Sequence, residues 1–329
     1  MDINNDGNID VLSGSWPGEI FLFEGAKGKK FKAPVMLKNK NNEIINPGGG
    51  IEDRSNGGIL IRGNADFETT DEGTFVNYHG KRIKNTPEKP ISISGTATAV
   101  NAVDWDADGD YDLIVGNISG NVYLVPNEGD ANKYAFGKEE QLKAGDELLG
   151  AKSRAGVCVA DIDGDGDLDL LAGGDDGSVS FYENTGSAKK AKLAKAVEII
   201  PPVKSQYGAN TPTEPTRGTR SKLCAADWNG DGKLDLLVGD YARLKPDVPE
   251  PSDQEKAEHE KIRNELKSVQ KRYSELANKM YGSEKEKDPA KIKKMREEMP
   301  EVRSKMGELR GKLPKEYETH GWVWLFLQK

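Results

Sequence analysis

The chain has 329 residues, of which 35% are hydrophobic and 31% charged, with 37 glycines; it is long enough for one large core or two domains and is polar and rich in turns. No run approaches the roughly 18 apolar residues of a membrane-spanning helix. The net charge of −8 gives no reason to expect a nucleic-acid partner or an anionic membrane surface. Residues 252–315 hold 18 Lys and Arg against 13 Asp and Glu, so the acidity is concentrated elsewhere.

One unit recurs four times. It reads D-I-N-N-D-G-N-I-D-V-L-S-G from Asp2, D-W-D-A-D-G-D-Y-D-L-I-V-G from Asp104, D-I-D-G-D-G-D-L-D-L-L-A-G from Asp161 and D-W-N-G-D-G-K-L-D-L-L-V-G from Asp227. Short apolar runs at 99–103, 156–160 and 223–226 precede the last three loops. Further strand-like runs follow the first three, at 19–23, 121–125 and 178–182, then at 31–37, 136–142 and 193–199. Each unit therefore reads as strand A, acidic loop, strand B, tight turn, strand C, turn, strand D. Repetition of a four-stranded antiparallel unit predicts an all-β fold, a β-propeller whose blades occupy 1–251. Residues 43–95 carry strand-like stretches without an acidic loop, and are expected to be an insertion or a blade that has lost its metal loop. The first unit opens on its loop at Asp2 with no strand A and no secretory signal before it, so the propeller is expected to be incomplete at this end and to continue upstream.

The fourth unit is interrupted. Its strand B ends at Gly239, and G-W-V-W-L-F-L begins only at Gly321, so the final propeller strand falls in 316–329. Residues 252–315 between them read as an antiparallel helical hairpin. Ser252 and Glu255 form a capping box, and an apolar stripe follows at Ile262, Leu266, Val269, Tyr273, Leu276 and Met280. Asp288 before Pro289 signals a second helix, with its stripe at Ile292, Met295, Met299, Val302, Met306, Leu309 and Leu313. A loop containing Gly282 is expected to join the helices, and Pro300 to kink or interrupt the second one.

The loops carry the chemistry. In D-x-[DN]-x-D-G-x-x-D, side-chain oxygens at positions one, three, five and nine can surround a point, position seven offers its carbonyl, and glycine at position six allows a sharp turn. Hard oxygen donors in this number suit Ca²⁺ better than Mg²⁺. The four loops together hold 16 Asp, a density that would repel itself without a cation. An EF-hand needs a glutamate at position twelve and flanking helices; here position twelve is Ser13, Val115, Ala172 or Val238 and the flanks are β-type.

These loops, with L-x-x-G and G-x-V-x-L-[FVY] after them, resemble the FG-GAP/VCBS repeats that form the blades of integrin α-chain propellers and recur in bacterial secreted proteins. The resemblance spans most of the chain outside 43–95 and 240–318. It implies up to four bound calcium ions, held between strands A and B on one face of the disc. The residues that match are Asp2, Asn4, Asp6, Asn8 and Asp10; Asp104, Asp106, Asp108, Asp110 and Asp112; Asp161, Asp163, Asp165, Asp167 and Asp169; and Asp227, Asn229, Asp231, Lys233 and Asp235. Asn at position three of the first and fourth loops, and Lys233 in the fourth, are expected to weaken those two sites.

Little else suggests chemistry. The three histidines, His79, His259 and His320, stand far apart in sequence, and no H-E-x-x-H, G-x-S-x-G or phosphate-binding glycine loop occurs. The expectation is a non-catalytic scaffold for a protein or carbohydrate ligand on the face opposite the calcium loops; the alternative is a propeller enzyme acting on an extracellular polymer such as polysaccharide. The hairpin replaces a turn on that opposite face, where it would act as a binding arm, a self-association element or a lid. Loops of this kind suit millimolar calcium and hence an extracytoplasmic setting: secreted, periplasmic or cell-surface. Cys158 and Cys224, at matching places in two repeats, are expected to be buried thiols, and Trp105 and Trp228, at position two of their loops, to pack between blades.

Overall fold

A computed structural model describes the whole chain except residues 29, 56, 205, 282–285 and 287. The described residues divide into two compact units, one comprising 1–206, 216–242 and 319–329, the other 207–215 and 243–318.

The first unit is built of small, mainly antiparallel sheets, and four of them follow the four repeats. The first sheet pairs Val11–Gly14, Ile20–Phe23 and Val35–Met36. The second runs Ala99–Val103, Asp112–Gly116, Val122–Val125 and Glu140–Gln141, and the third Gly156–Ala160, Asp169–Gly173, Val179–Tyr182 and Val197–Ile200. The fourth joins Thr219–Ala226 to Asp235–Leu244, and Val323–Phe326 pairs on the other side of that central strand. The acidic loop leads into the Asp112, Asp169 and Asp235 strands from the strand before, as the sequence predicts. Among the described residues no sheet closes on itself.

Consecutive sheets stack face to face, which explains why the second strands are apolar throughout rather than alternating. All five residues of Asp112–Gly116 and of Asp169–Gly173 are buried. Leu113 and Val115 join Ile3, Ile20 and Leu22 between the first and second sheets. Ile114 points the other way, to Val157, Leu170 and Ala172 of the third sheet. Leu171 and Cys158 in turn meet Leu236 and Val238 of the fourth. A strand covered on both faces gains apolar burial at every position, worth about 25 cal/mol per Å² removed from water.

Two expectations fail at the end of this stack, for one reason. Cys158 is buried but Cys224 is exposed, and Trp105 is 6% exposed against 64% for Trp228. Cys158 and Trp105 lie on sheet faces that a following sheet covers. Cys224 and Trp228 belong to the fourth sheet, whose corresponding face no further sheet covers among the described residues.

Residues 50–94 form two three-stranded sheets. Ile91–Ser94 lies parallel to Ile59–Arg62, which pairs antiparallel with Gly50–Asp53; Asp66–Thr70, Gly73–Tyr78 and Lys81–Asn85 form a meander. They share a small core of Ile59, Ile61, Val76, Tyr78 and Ile91.

The second unit contains α1 (Asp253–Tyr281) and α2 (Pro289–Gly311). The capping box forms: Glu255 N donates to Ser252 Oγ at 3.3 Å, and Ser252 N to Glu255 Oε2 at 2.8 Å. Asp288 caps α2, accepting from Ala290 N at 2.9 Å. The helices run antiparallel, since Arg272 pairs with Glu298 while Lys305 pairs with Glu265. Leu276, Met280, Met295 and Met299 make their shared seam. Gly282, expected to turn the chain between them, lies outside the described residues. Pro300 does not interrupt α2, which continues to Gly311. The hydrogen bond lost at Pro300 falls on an exposed position, while the adjacent Met299 is held in the seam. Arg243 is sandwiched between Tyr207 and Tyr317, 3.9 and 4.1 Å from the ring centroids.

Candidate metal centre

Each loop is shaped by its own carboxylates. The aspartate at position one accepts backbone N–H groups from further round the turn. Asp104 takes Asp108 N at 3.0 Å and Gly109 N at 3.1 Å, and Asp2 takes Asp6 N and Gly7 N. Asp161 accepts from Gly164 and Gly166, and Asp227 from Gly230, Asp231 and Gly232. Position five holds the amide of position seven: Asp6, Asp108, Asp165 and Asp231 accept from Asn8, Asp110, Asp167 and Lys233 at 2.9–3.1 Å. The glycine at position six is required by its backbone, because Gly7, Gly109, Gly166 and Gly232 all have φ between 82° and 100°.

Position nine has a second task that the motif does not reveal. Asp10, Asp112, Asp169 and Asp235 are all at most 3% exposed. One oxygen of each accepts the N–H of loop position two: Ile3, Trp105, Ile162 and Trp228, at 2.9–3.1 Å. The other accepts an N–H beyond the third strand: Gly25 at 2.7 Å, Asn127 at 2.6 Å, Asn184 at 2.8 Å and Gln328 at 2.9 Å. The separation is 15 residues in the first three repeats and 93 in the fourth. These carboxylates pin the loop to the far side of its own sheet.

Asn127 and Asn184, absent from the predicted site, extend that pin. The Oδ1 of Asn127 accepts from Gly129 and Ala135, and that of Asn184 from Gly186 and Lys192. The signal was present in the sequence as N-x-G, 15 residues after the last aspartate of the loop.

The middle two loops have a further feature. Asp110 and Asp167, at position seven, are 6% and 9% exposed, and Oδ1 of each is buried without a hydrogen-bond partner. The sequence assigned these residues only a carbonyl role; the structure buries their carboxylates beside the side chains of Asn127 and Asn184. Carboxylate oxygens of Asp104, Asp106 and Asp108 lie within 4.8 Å of one another, as do those of Asp161, Asp163 and Asp169. Three carboxylate oxygens brought this close repel one another unless a cation or a proton meets them. The residues therefore fit a hard divalent ion.

The first and fourth loops differ. Asn4 and Asn229 accept from Asp6 N and Asp231 N at position three, and Asn8 and Asn229 turn their amide nitrogens onto Asp6 and Asp231. The side-chain and backbone N–H groups of Asn8 hold Asp6 below the usual carboxylate range, and the backbone N–H of Lys233, then the amide of Asn229, hold Asp231 there. In the middle loops the groups at positions seven and nine are shifted, and upward. Burial pushes Asp112 up to about 6, with the charges of Asp106 and Asp110 adding to it, against the N–H bonds from Asn127 and Trp105. Burial and the neighbouring aspartates raise Asp110 and Asp167 as well, and burial raises Asp169.

Repeated antiparallel sheets, each entered through an acidic loop pinned by its last aspartate, define a β-rich repeat protein. Residues 104–172 and 161–238 match the FG-GAP-like repeat, so the chain carries two FG-GAP-like repeats. No curated protein matches the chain.

Proposed function

We propose that this chain is a calcium-binding, propeller-type scaffold of the secreted FG-GAP/VCBS kind, which recognises a protein or carbohydrate ligand and does not catalyse a reaction. The observation that carries the calcium reading is the convergence of Asp104, Asp106 and Asp108, and of Asp161, Asp163 and Asp169, whose carboxylate oxygens lie within 4.8 Å of one another. Asp104, Asp106, Asp108, Asp110 and Asp112 would hold one ion, and Asp161, Asp163, Asp165, Asp167 and Asp169 another. The ion would supply charge neutralisation and would lock the loop against its sheet. The loops built on Asp2, Asn4, Asp6, Asn8 and Asp10 and on Asp227, Asn229, Asp231, Lys233 and Asp235 would bind more weakly, since asparagine amides already satisfy part of their anionic charge and Lys233 opposes a cation. No helix among the described residues is long and apolar enough to cross a membrane.

Calorimetric titration with Ca²⁺, with Mg²⁺ as control, tests the reading. Two tighter and two weaker events are expected, and Asp106→Asn with Asp163→Asn should abolish the tighter pair. A site filled to 100 times its Kd adds about 2.7 kcal/mol to stability. An absence of Ca²⁺ heat, together with an unchanged melting temperature, would remove calcium from the proposal and the extracytoplasmic setting with it.

A further inference from the structure

At the ends away from the acidic loops, the sheets are linked by one contact that occurs three times. The strands Ala99–Val103, Gly156–Ala160 and Thr219–Ala226 each run toward a loop, so the residues at their entry lie at the opposite end. There Ala97 N donates to Trp16 O at 3.0 Å, Arg154 N to Ile118 O at 2.8 Å and Arg220 N to Asp175 O at 3.1 Å. The three acceptors lie in corresponding turns of the preceding sheets. All three donors have left-handed backbone, with φ of 46°, 55° and 62°. Glycine takes that conformation freely and L side chains rarely do. A strained residue held where glycine would serve points to a use for its side chain.

Two of these side chains are arginines, and they converge. Arg154 Nε stands 2.9 Å and Arg220 Nε 3.6 Å from the same oxygen, Oδ1 of Asp175. One carboxylate cannot neutralise two guanidinium groups, so positive charge is left over between the third and fourth sheets. Both side chains are partly open to water, Arg154 at 34% and Arg220 at 41%, and the Tyr241 ring lies 4.4 Å from the Arg220 guanidinium. Lys222 brings a third cation to the same place. A Cβ on Gly156 would stand 3.0 Å from Lys222 Cδ, and no carboxylate pairs with Lys222 among the described residues. The first member of the series is Ala97, but its acceptor is Trp16, whose indole is 61% exposed.

We propose that this end of the sheets binds an acidic polysaccharide, with Arg154 and Arg220 gripping the carboxylate of a uronate unit and Trp16 stacking on a sugar further along. It rests on the reading of the chain as a ligand-binding scaffold and not on what the acidic loops hold. Guanidinium groups present forked donors that match a carboxylate. A peptide is the weaker candidate, because peptides are commonly held by main-chain pairing. Here the N–H groups of Ala97, Arg154 and Arg220 and the carbonyls of Trp16, Ile118 and Asp175 already bond to one another. Side chains are left to do the reading, and an exposed indole offers the flat apolar surface that the C–H face of a sugar ring fits. With a net charge of −8 the chain repels polyanions elsewhere, so their capture falls to this cluster.

The test is an array of galacturonate, glucuronate, mannuronate and guluronate oligosaccharides, each beside its carboxyl-reduced neutral counterpart, with oligoglutamate as the peptide control. The whole chain is applied with calcium and with EDTA. Binding to at least one uronate series is expected, with loss on carboxyl reduction and weakening as salt is raised. Arg154→Gly and Arg220→Gly should each weaken it about tenfold or more, yet melt at or above the wild-type temperature, because glycine relieves the backbone. Trp16→Ala should weaken binding and keep its dependence on the carboxylate. No uronate bound, equal binding of the neutral counterparts, a preference for oligoglutamate, or arginine variants that lose stability rather than binding would each overturn the proposal. The wild-type comparison of each uronate with its reduced counterpart stands whatever the variants do. The melting shift with Ca²⁺ should be the same in the variants as in the wild type, so a failed calcium reading and a failed uronate site are told apart.

Discussion

Asp112 Oδ1 accepts the backbone N–H of Asn127 at 2.6 Å, while Oδ2 of the same carboxylate accepts Trp105 N. One side chain thus ties the start of the loop to the end of the third strand. Asp112→Ala would leave two N–H groups without an acceptor, at about 1–3 kcal/mol for each one that stays buried. Chemical unfolding in EDTA should show a loss of about 2–5 kcal/mol. Asp106→Asn should leave unfolding in EDTA within about 0.5 kcal/mol of wild type, because Asp106 is exposed. The same variant should lose the calcium-dependent part.

The raised carboxylates of the middle loops set a pH dependence. Asp112 titrates at about 6 in the folded chain and near 3.8 when unfolded, so the folded state holds its proton more tightly. Asp110, Asp167 and Asp169 are shifted in the same direction. The stability this contributes is complete below the unfolded value and is lost as pH rises through about 6. In EDTA the melting temperature is expected to fall between pH 5 and pH 7, and saturating calcium should flatten or reverse that slope. A metal-free protein equally stable at both would count against the burial of these groups.

The glycines at the junctions are expected to be intolerant in proportion to the sheet they face. Gly173→Ala would drive a methyl group to within 2.4 Å of Ser221 O, which is backbone and cannot swing aside. A loss of about 2–4 kcal/mol, or failure to fold, is expected for Gly116→Ala and Gly173→Ala by urea denaturation.

Pro300 offers a gain. It stands at an exposed position inside α2, where the residue has no N–H to give the preceding turn. Pro300→Ala should restore that bond and raise the stability of the helical unit by up to about 3 kcal/mol. Far-ultraviolet dichroism on heating, which reports chiefly on α1 and α2 in this β-rich chain, would detect the shift. An unchanged or earlier loss of helix would show that the proline is better accommodated than its chemistry suggests.

The sheets and loops were legible in the sequence because the repeat restarts at Asp2, Asp104, Asp161 and Asp227, and each strand keeps its place relative to that start. The capping box at Ser252 and the cap at Asp288 were legible for the same reason: a local hydrogen bond is written in adjacent residues. What the pattern concealed were long-range matters. The motif gives Asp10, Asp112, Asp169 and Asp235 as ligands, and only the folded chain shows them gripping Gly25, Asn127, Asn184 and Gln328. Asp110 and Lys233 share a position in the pattern, but Asp110 is buried while Lys233 is exposed. Trp105 and Trp228 likewise look equivalent until one asks which sheet comes next. The parallel pairing of Ile91–Ser94 with Ile59–Arg62 joins strands with a whole meander between them, and no local signal announces it.

The reach from Asp235 to Gln328 has an architectural meaning. In the other repeats the aspartate grips an amide 15 residues away, and here it grips one 93 residues away with the same geometry. The sheet is fastened at the far edge of the excursion, so the length of chain looped out between is a free variable. A module could be spliced in at this place, exchanged or removed, and the blade would still latch. The repeat thus tolerates a long excursion between its last two strands, and in this chain the excursion carries α1 and α2.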